Sequence, residues 1–260
     1  MKQPLRNIKL TLEYDGTDWH GWQVQQNAPT IQGELEKALA KITGESLRVT
    51  GASRTDAGVH ARGQACNFYT ASRIPTERIP HALNANLAPS IVVLTACEVA
   101  TEFHARFQAT GKRYVYEITN SSIPSALRRH YSYHVAQNLN LMAMRQAASI
   151  LEGEHDFKAF QAVGSSAKST IRHLRSLLVD EPEAGRILIY AEGNGFLYNM
   201  VRIIVGTLLQ VGVGKILPED MAAILASRDR SLAGPTAPPQ GLCLEKVFYD
   251  SPPTLTLEKS

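Results

Sequence analysis

The chain has 260 residues, 44% hydrophobic and 20% charged, with 27 Lys and Arg against 24 Asp and Glu. That is a globular composition with room for one large domain or two small ones, and it excludes a disordered or polybasic chain. A formal charge of only +3 still allows a nucleic-acid binder whose charge is unevenly spread.

Residues 8–14 alternate and end at Asp15-Gly16, which predicts a strand running into a turn. Thr30 caps a predicted helix bearing Ile31, Leu35, Ala38, Leu39 and Ile42, and Gly44 stops it. Residues 46–50 and 63–69 read as strands flanking the loop Gly51-Ala52-Ser53-Arg54-Thr55-Asp56-Ala57-Gly58. A short helix over 77–87 and a strand over 91–99 follow. In the second half, 114–118 is a strand, and Leu141, Met144, Ala148 and Leu151 form a helical stripe. Residues 176–179 and 186–191 form a hairpin across the acidic turn 180–185. Residues 199–213 are apolar on nearly all faces, as in a buried helix, and a last strand covers 242–249 after a Pro/Gly-rich loop at 234–241.

The order strand–helix–strands–helix–strand thus occurs twice. We expect an α+β fold of two similar halves, each a mainly antiparallel sheet with helices, around a central cleft. The halves meet near residues 103–112, giving domains at 1–105 and 106–250 and a mobile tail at 251–260. Three scattered cysteines (Cys66, Cys97, Cys243) without a C-x-x-C fit a reducing compartment. No signal peptide is read at the N-terminus, and the most apolar stretch, 203–214, is shorter than a membrane span. A cytoplasmic protein without membrane contact is expected.

The charge is indeed uneven. Residues 101–175 hold ten basic and five acidic residues, a net +5, against 17 and 19 elsewhere, a net −2. Five of the eight histidines fall in the same window. This suits a polyanion-binding face, although a merely solvated basic surface has the same composition.

The loop at 51–58 can present side chains into a cleft. Arg54 and Asp56 point the same way on an extended backbone and diverge on a turn. The plainer reading of Asp56 is a turn aspartate bonding nearby amides. Arg202 sits on the apolar helix, where a guanidinium needs a partner or a route to a cleft. Asp56, Glu192 and Glu245 are candidate partners. Pairing with Arg202 would keep Asp56 ionised, which suits a nucleophile better than a general acid. Lys112 and Arg113 open a strand with Tyr114 and Tyr116 on one face. Such an arrangement can hold phosphate with the cations and stack a base on the aromatic, or be two ordinary sheet tyrosines.

Other candidates carry less. His130 and His134 lie on an alternating, strand-like stretch rather than a metal-binding helix. Glu154-His155-Asp156 reads as a polar turn. Gly193-Asn194-Gly195 lacks the third glycine of a dinucleotide loop, and neither a phosphate loop nor a Gly-x-Ser-x-Gly elbow occurs. We expect chemistry without metal or cofactor.

The run Gly51-Ala52-Ser53-Arg54-Thr55-Asp56-Ala57-Gly58-Val59-His60-Ala61 resembles the signature loop of the TruA family, tRNA pseudouridine synthase I. Tyr14-Asp15-Gly16-Thr17, Gly21-Trp22-Gln23, Phe103-His104-Ala105-Arg106, Phe196 to Arg202 and the 237–242 stretch resemble further motifs of it. The resemblance implies a pseudouridine synthase-like fold with Asp56 as the essential aspartate, Tyr114 as the active-site tyrosine and Arg202 as the partner of Asp56. It implies that Arg54 helps hold the target base out of the helix, with His60, Lys112 and Arg113 among the substrate contacts. It also implies a homodimer that acts on tRNA uridines at positions 38 to 40, in the anticodon arm. An RNA uracil N-glycoside hydrolase using the same nucleophile, and a non-catalytic tRNA-binding module, are the rival readings.

Overall fold

Alternation at the N-terminus becomes a buried central strand. The computed structural model describes residues 5–164 and 167–250; the tail expected at 251–260 lies outside them. Ile8, Leu10 and Leu12 on β1 (Arg6–Tyr14) are fully buried, as a period of two over one packed face requires.

The chain separates into two units: residues 1–110 with 244–260, and residues 111–243. The division read from the sequence falls after residue 105 and leaves 244–250 in the second half; here those residues belong to the first.

In the first unit, α1 (Ile31–Thr43) begins at Thr30, whose side chain accepts from Gly33 N at 3.3 Å. It ends at Gly44, in the left-handed region at φ +74°. Ile31, Leu35, Ala38 and Leu39 form its buried stripe. β2 is only Thr50–Gly51, shorter than the strand expected over 46–50. The reason lies in α1: Val49 N donates to Glu36 Oε1 and Val49 O accepts from Gln32 Nε2. Side chains of the helix thus take the backbone groups that a longer strand would have paired. β3 (His60–Thr70), α2 (Ile79–Asn84) and β4 (Ile91–Val99) follow. β1 lies between β3 and β4, antiparallel to both, with Leu10 opposite Cys66 and Ala96.

The second unit holds β5 (Gly111–Asn120), β6 (Tyr133–Val135), α3 (Leu141–Ile150), β7 (Gly153–Asp156), β8 (Ile171–Glu183) and β9 (Arg186–Gly193). The strand order is β5-β9-β8-β7, antiparallel throughout, with β6 parallel to β5. Glu154-His155-Asp156 is therefore not a turn but β7, a four-residue strand on β8. It borders one strand only and buries no continuous face, so it leaves no alternation to read. α4 (Met200–Gly212) is buried on nearly every side, as its composition requires. α5 (Asp220–Ser227), passed over in the sequence, buries Met221, Ile224 and Leu225.

β10 (Leu242–Phe248) carries the chain back to the first unit, where it neighbours β3. There Thr110 N donates to Phe248 O at 2.9 Å and the Tyr249 hydroxyl donates to Ala105 O at 2.8 Å. The fold is α+β, and each unit is built on a mainly antiparallel sheet.

Candidate active site

The loop around Asp56 is held from two directions within the first unit. Backbone pairing with β3 ends at Ala52, whose N–H donates to Ala65 O at 2.8 Å. Beyond it, burial alternates: Ser53 and Thr55 are buried, Arg54 is exposed and Asp56 is half-buried. This is the extended arrangement, with Arg54 and Asp56 on the outward side. A turn closes it, with Val59 N donating to Asp56 O.

From the other direction comes the segment after β1. Trp22 N donates to Thr55 O at 3.0 Å, and Gly58 N donates to Trp19 O at 3.2 Å. Gly21 makes this approach possible. It sits at φ +82°, and a Cβ there would stand 2.5 Å from Thr55 O. The Gly-Trp-Gln stretch noticed in the sequence is thus the wall behind the Asp56 loop.

His60, expected among the substrate contacts, is buried at the start of β3. Its Nδ1 accepts from Gly16 N at 3.0 Å and lies 3.2 Å from Asp15 Oδ1. The same Asp15 oxygen accepts from Thr17 N at 3.0 Å. His60 therefore ties the turn at 15–17 to the foot of the loop.

In the second unit Arg202 projects from the first turn of α4. Nε donates to Ala237 O at 2.7 Å and Nη1 to Asn199 Oδ1 at 2.9 Å, while Ala237 N donates back to Arg202 O. Asn199 opens the helix at φ +58°, in the left-handed region that Asn tolerates better than most residues. The loop at 234–241 that supplies Ala237 lies against α4. Gly234 N donates to Thr207 Oγ1 at 2.9 Å, and a Cβ on Gly206 would collide with Pro235 O. The Tyr116 hydroxyl donates to Pro238 O at 2.8 Å. Burial pushes that phenol above its usual range, against the opposing pull of the Arg202 charge, so it stays a neutral donor.

Tyr114 is buried on β5, opposite Ala191, with its ring edge-on to Phe196 at 5.3 Å. Lys112, opposite Gly193 on the same strand, is half-buried. On the same strand Arg113 Nε and Nη2 both donate to Glu192 Oε2, at 2.9 and 2.8 Å. That carboxylate offsets its charge, and Glu192 is correspondingly engaged by a residue other than Arg202. The geometry thus gathers Arg54, Asp56 and His60 around one loop, and sets Lys112, Arg113, Tyr114 and Arg202 within the other unit. The sequence assigns no separate role to Tyr14 and Gln64, whose bonds join residues far apart in the chain, or to Asn199, three positions before the arginine that donates to it. Among the described residues, no group of three or more His, Cys, Asp or Glu could hold a metal ion. No helix among them is long and apolar enough to cross a membrane.

The family model described as "tRNA pseudouridine synthase" matches residues 11–108 and 147–250. The chain belongs to the tRNA pseudouridine synthase family. Its relatives include the tRNA pseudouridine synthase A of Ruminiclostridium cellulolyticum, 50% identical over 94% of this chain and 100% of its own length. That of Acetivibrio thermocellus is 51% identical with the same coverage, and that of a Thermoanaerobacter species 52%. Among solved structures, a Cbf5-Nop10-Gar1 complex aligns with 14% identity and a TM-score of 0.36, covering 78% of this chain and 45% of that one, too loose a likeness to bear on the site. The chain is thus a pseudouridine synthase, an isomerase, which sets aside the hydrolase and the non-catalytic binder. The matched segments contain Arg54, Asp56, His60 and Arg202; Lys112, Arg113 and Tyr114 fall between them.

Proposed function

We propose that this pseudouridine synthase isomerises uridine in the anticodon arm of tRNA, at positions 38 to 40, with Asp56 acting at the ribose. The observation that carries the reading is the outward, half-buried Asp56 on a loop fixed from behind by β3 and by the Gly21-Trp22 wall.

The reaction breaks the C1′–N1 bond, turns the base over and forms a C1′–C5 bond. The C5 proton leaves and N1 gains one, so nothing is oxidised and no metal or cofactor is required. The base must first leave its stack, which costs a few kcal/mol; Arg54 offsets part of this by holding the target base out of the helix. An ionised Asp56 attacks C1′, or takes the C2′ proton to give a glycal. Arg202 keeps the carboxylate charged, and Tyr114 stacks on the base and relays the C5 proton. Lys112 and Arg113, the latter still partly exposed beside Glu192, contact tRNA phosphate, and buried His60 supports the substrate side by holding the turn at 15–17. The enzyme works in the cytoplasm as a homodimer.

The test is to map pseudouridine in a tRNA transcript incubated with wild type or with Asp56→Ala. The variant should lose isomerisation by a factor on the order of 10⁴ or more, with tRNA affinity within about threefold. Full activity in Asp56→Ala would refute the role of Asp56. Pseudouridine formed only outside positions 38 to 40 would refute the substrate region.

A further inference from the structure

The Asp56 loop rises from its sheet on two side-chain struts. In the β2–β3 register Gly51 lies opposite Cys66, so Ser53 would next face Gln64. By then the backbones have parted, and the Gln64 side chain bridges the gap. Its Nε2 donates to Ser53 O at 2.7 Å and its Oε1 accepts from Ser53 N at 3.3 Å. A ladder pair is thereby continued by an amide side chain, one side-chain length above the sheet.

Tyr14 is the second strut. The β1–β3 register slips between Leu12 and Tyr14, at the end of β1. The Tyr14 hydroxyl shares a 2.7 Å hydrogen bond with Thr55 Oγ1 and accepts from Gln64 Nε2 at 3.4 Å. Gln64 is fully inaccessible and Tyr14 is 4% exposed. Burying an amide and a phenol under a loop is unfavourable unless each is bonded, and apolar side chains would fill the same space at less cost. Their bonds go to Ser53 and Thr55, the two inward residues that alternate with Arg54 and Asp56.

We propose that Tyr14 and Gln64 are positioning residues for the isomerisation. By gripping Ser53 and Thr55 they set the height and direction from which Arg54 and Asp56 meet the substrate. This rests on the proposed role of Asp56 at the ribose. Misplacing a reacting group by about 1 Å costs on the order of 10²-fold in rate, so struts of this kind act on turnover more than on affinity.

The experiment is a double-mutant cycle on the shared bond. Tyr14→Phe and Thr55→Val each delete one hydroxyl at nearly constant volume. Single-turnover pseudouridine formation is followed at saturating enzyme, well below the melting point of the least stable variant. Each single variant should slow the step by about 10- to 100-fold, with the tRNA Kd within about threefold. The double variant should be no slower than the worse single one, since the bond is lost only once. Thr55→Ser, which keeps the hydroxyl, should restore the rate, and Gln64→Leu should show the same rate-specific loss. Rates within about twofold of wild type in the single variants, or losses that multiply, would overturn the proposal. If Tyr14→Phe fails to fold, Thr55→Val against Thr55→Ser decides it alone. A wild type that forms no pseudouridine, or an active Asp56→Ala, defeats the proposed function instead of the struts.

Discussion

Two short irregular loops, one in each unit, are held by different means. The loop at 51–58 carries Arg54 and Asp56 itself and is braced by buried side chains, Gln64 and Tyr14, reaching up from strands. The loop at 234–241 serves Arg202, a residue of the neighbouring helix. It lies backbone-to-backbone on α4, where Gly206 meets Pro235 and Thr207 receives Gly234. Tyr116 braces it from a strand. Struts fix a direction and can be retuned by one atom. Close backbone contact fixes a position and tolerates almost no change.

The sharpest break of this contrast is Gly206→Ala. The methyl group would strike the Pro235 carbonyl on a buried helix, which should cost about 3 kcal/mol. A fall of about 6–12 °C in melting temperature should follow. A variant as stable as wild type would mean that the contact is slack. Gly21→Ala should come next, at about 2 kcal/mol for a strained left-handed position pressed on Thr55. It should also slow pseudouridine formation by about tenfold or more, because Thr55 adjoins Asp56. Stability loss in Gly21→Ala equal to that in Gly206→Ala would erase the difference between the loops.

Tyr116→Phe removes one buried hydrogen bond to Pro238 O and should cost about 1–2 kcal/mol by urea denaturation. The smallest effect lies outside both loops. The Asp156 carboxyl is held below its usual range, first by the Thr170 hydroxyl, then by Lys158 N and the Arg228 charge. Its folded pKa is depressed, so its contribution is present above the unfolded value and is lost as pH falls below about 4. Asp156→Asn should flatten the melting temperature between about pH 5 and pH 3 slightly, leaving the isomerisation rate at pH 7 unchanged.

Much of the frame was legible in the sequence because it is local or periodic. Thr30 and Gly44 bound α1, and the all-round apolarity of residues 200–212 marks α4 as buried. The Asp56 loop was legible as a motif, and its extended form was one of two open readings. What stayed hidden depends on pairing between distant residues. Nothing near Glu192 says that Arg113 claims it, across 79 positions. Gln64 looks like any polar strand residue until Ser53 is placed opposite. The missing part of β2 went unread because the side chains of α1, not a strand, take the bonds of Val49.

The return of β10 to the first unit gives the enzyme a timetable. Gly63 on β3 lies against the backbone of Glu245, and the Tyr249 hydroxyl closes on Ala105, so the first unit takes its last strand from residues 244–248. On the ribosome, residues 111–243 must all be made before that strand exists. At roughly 5–20 residues per second the delay is on the order of ten seconds. For that interval the segment bearing Asp56 is already synthesised while its sheet keeps an open edge beside β3. Chaperone capture or mispairing of the nascent chain should therefore concentrate at that edge.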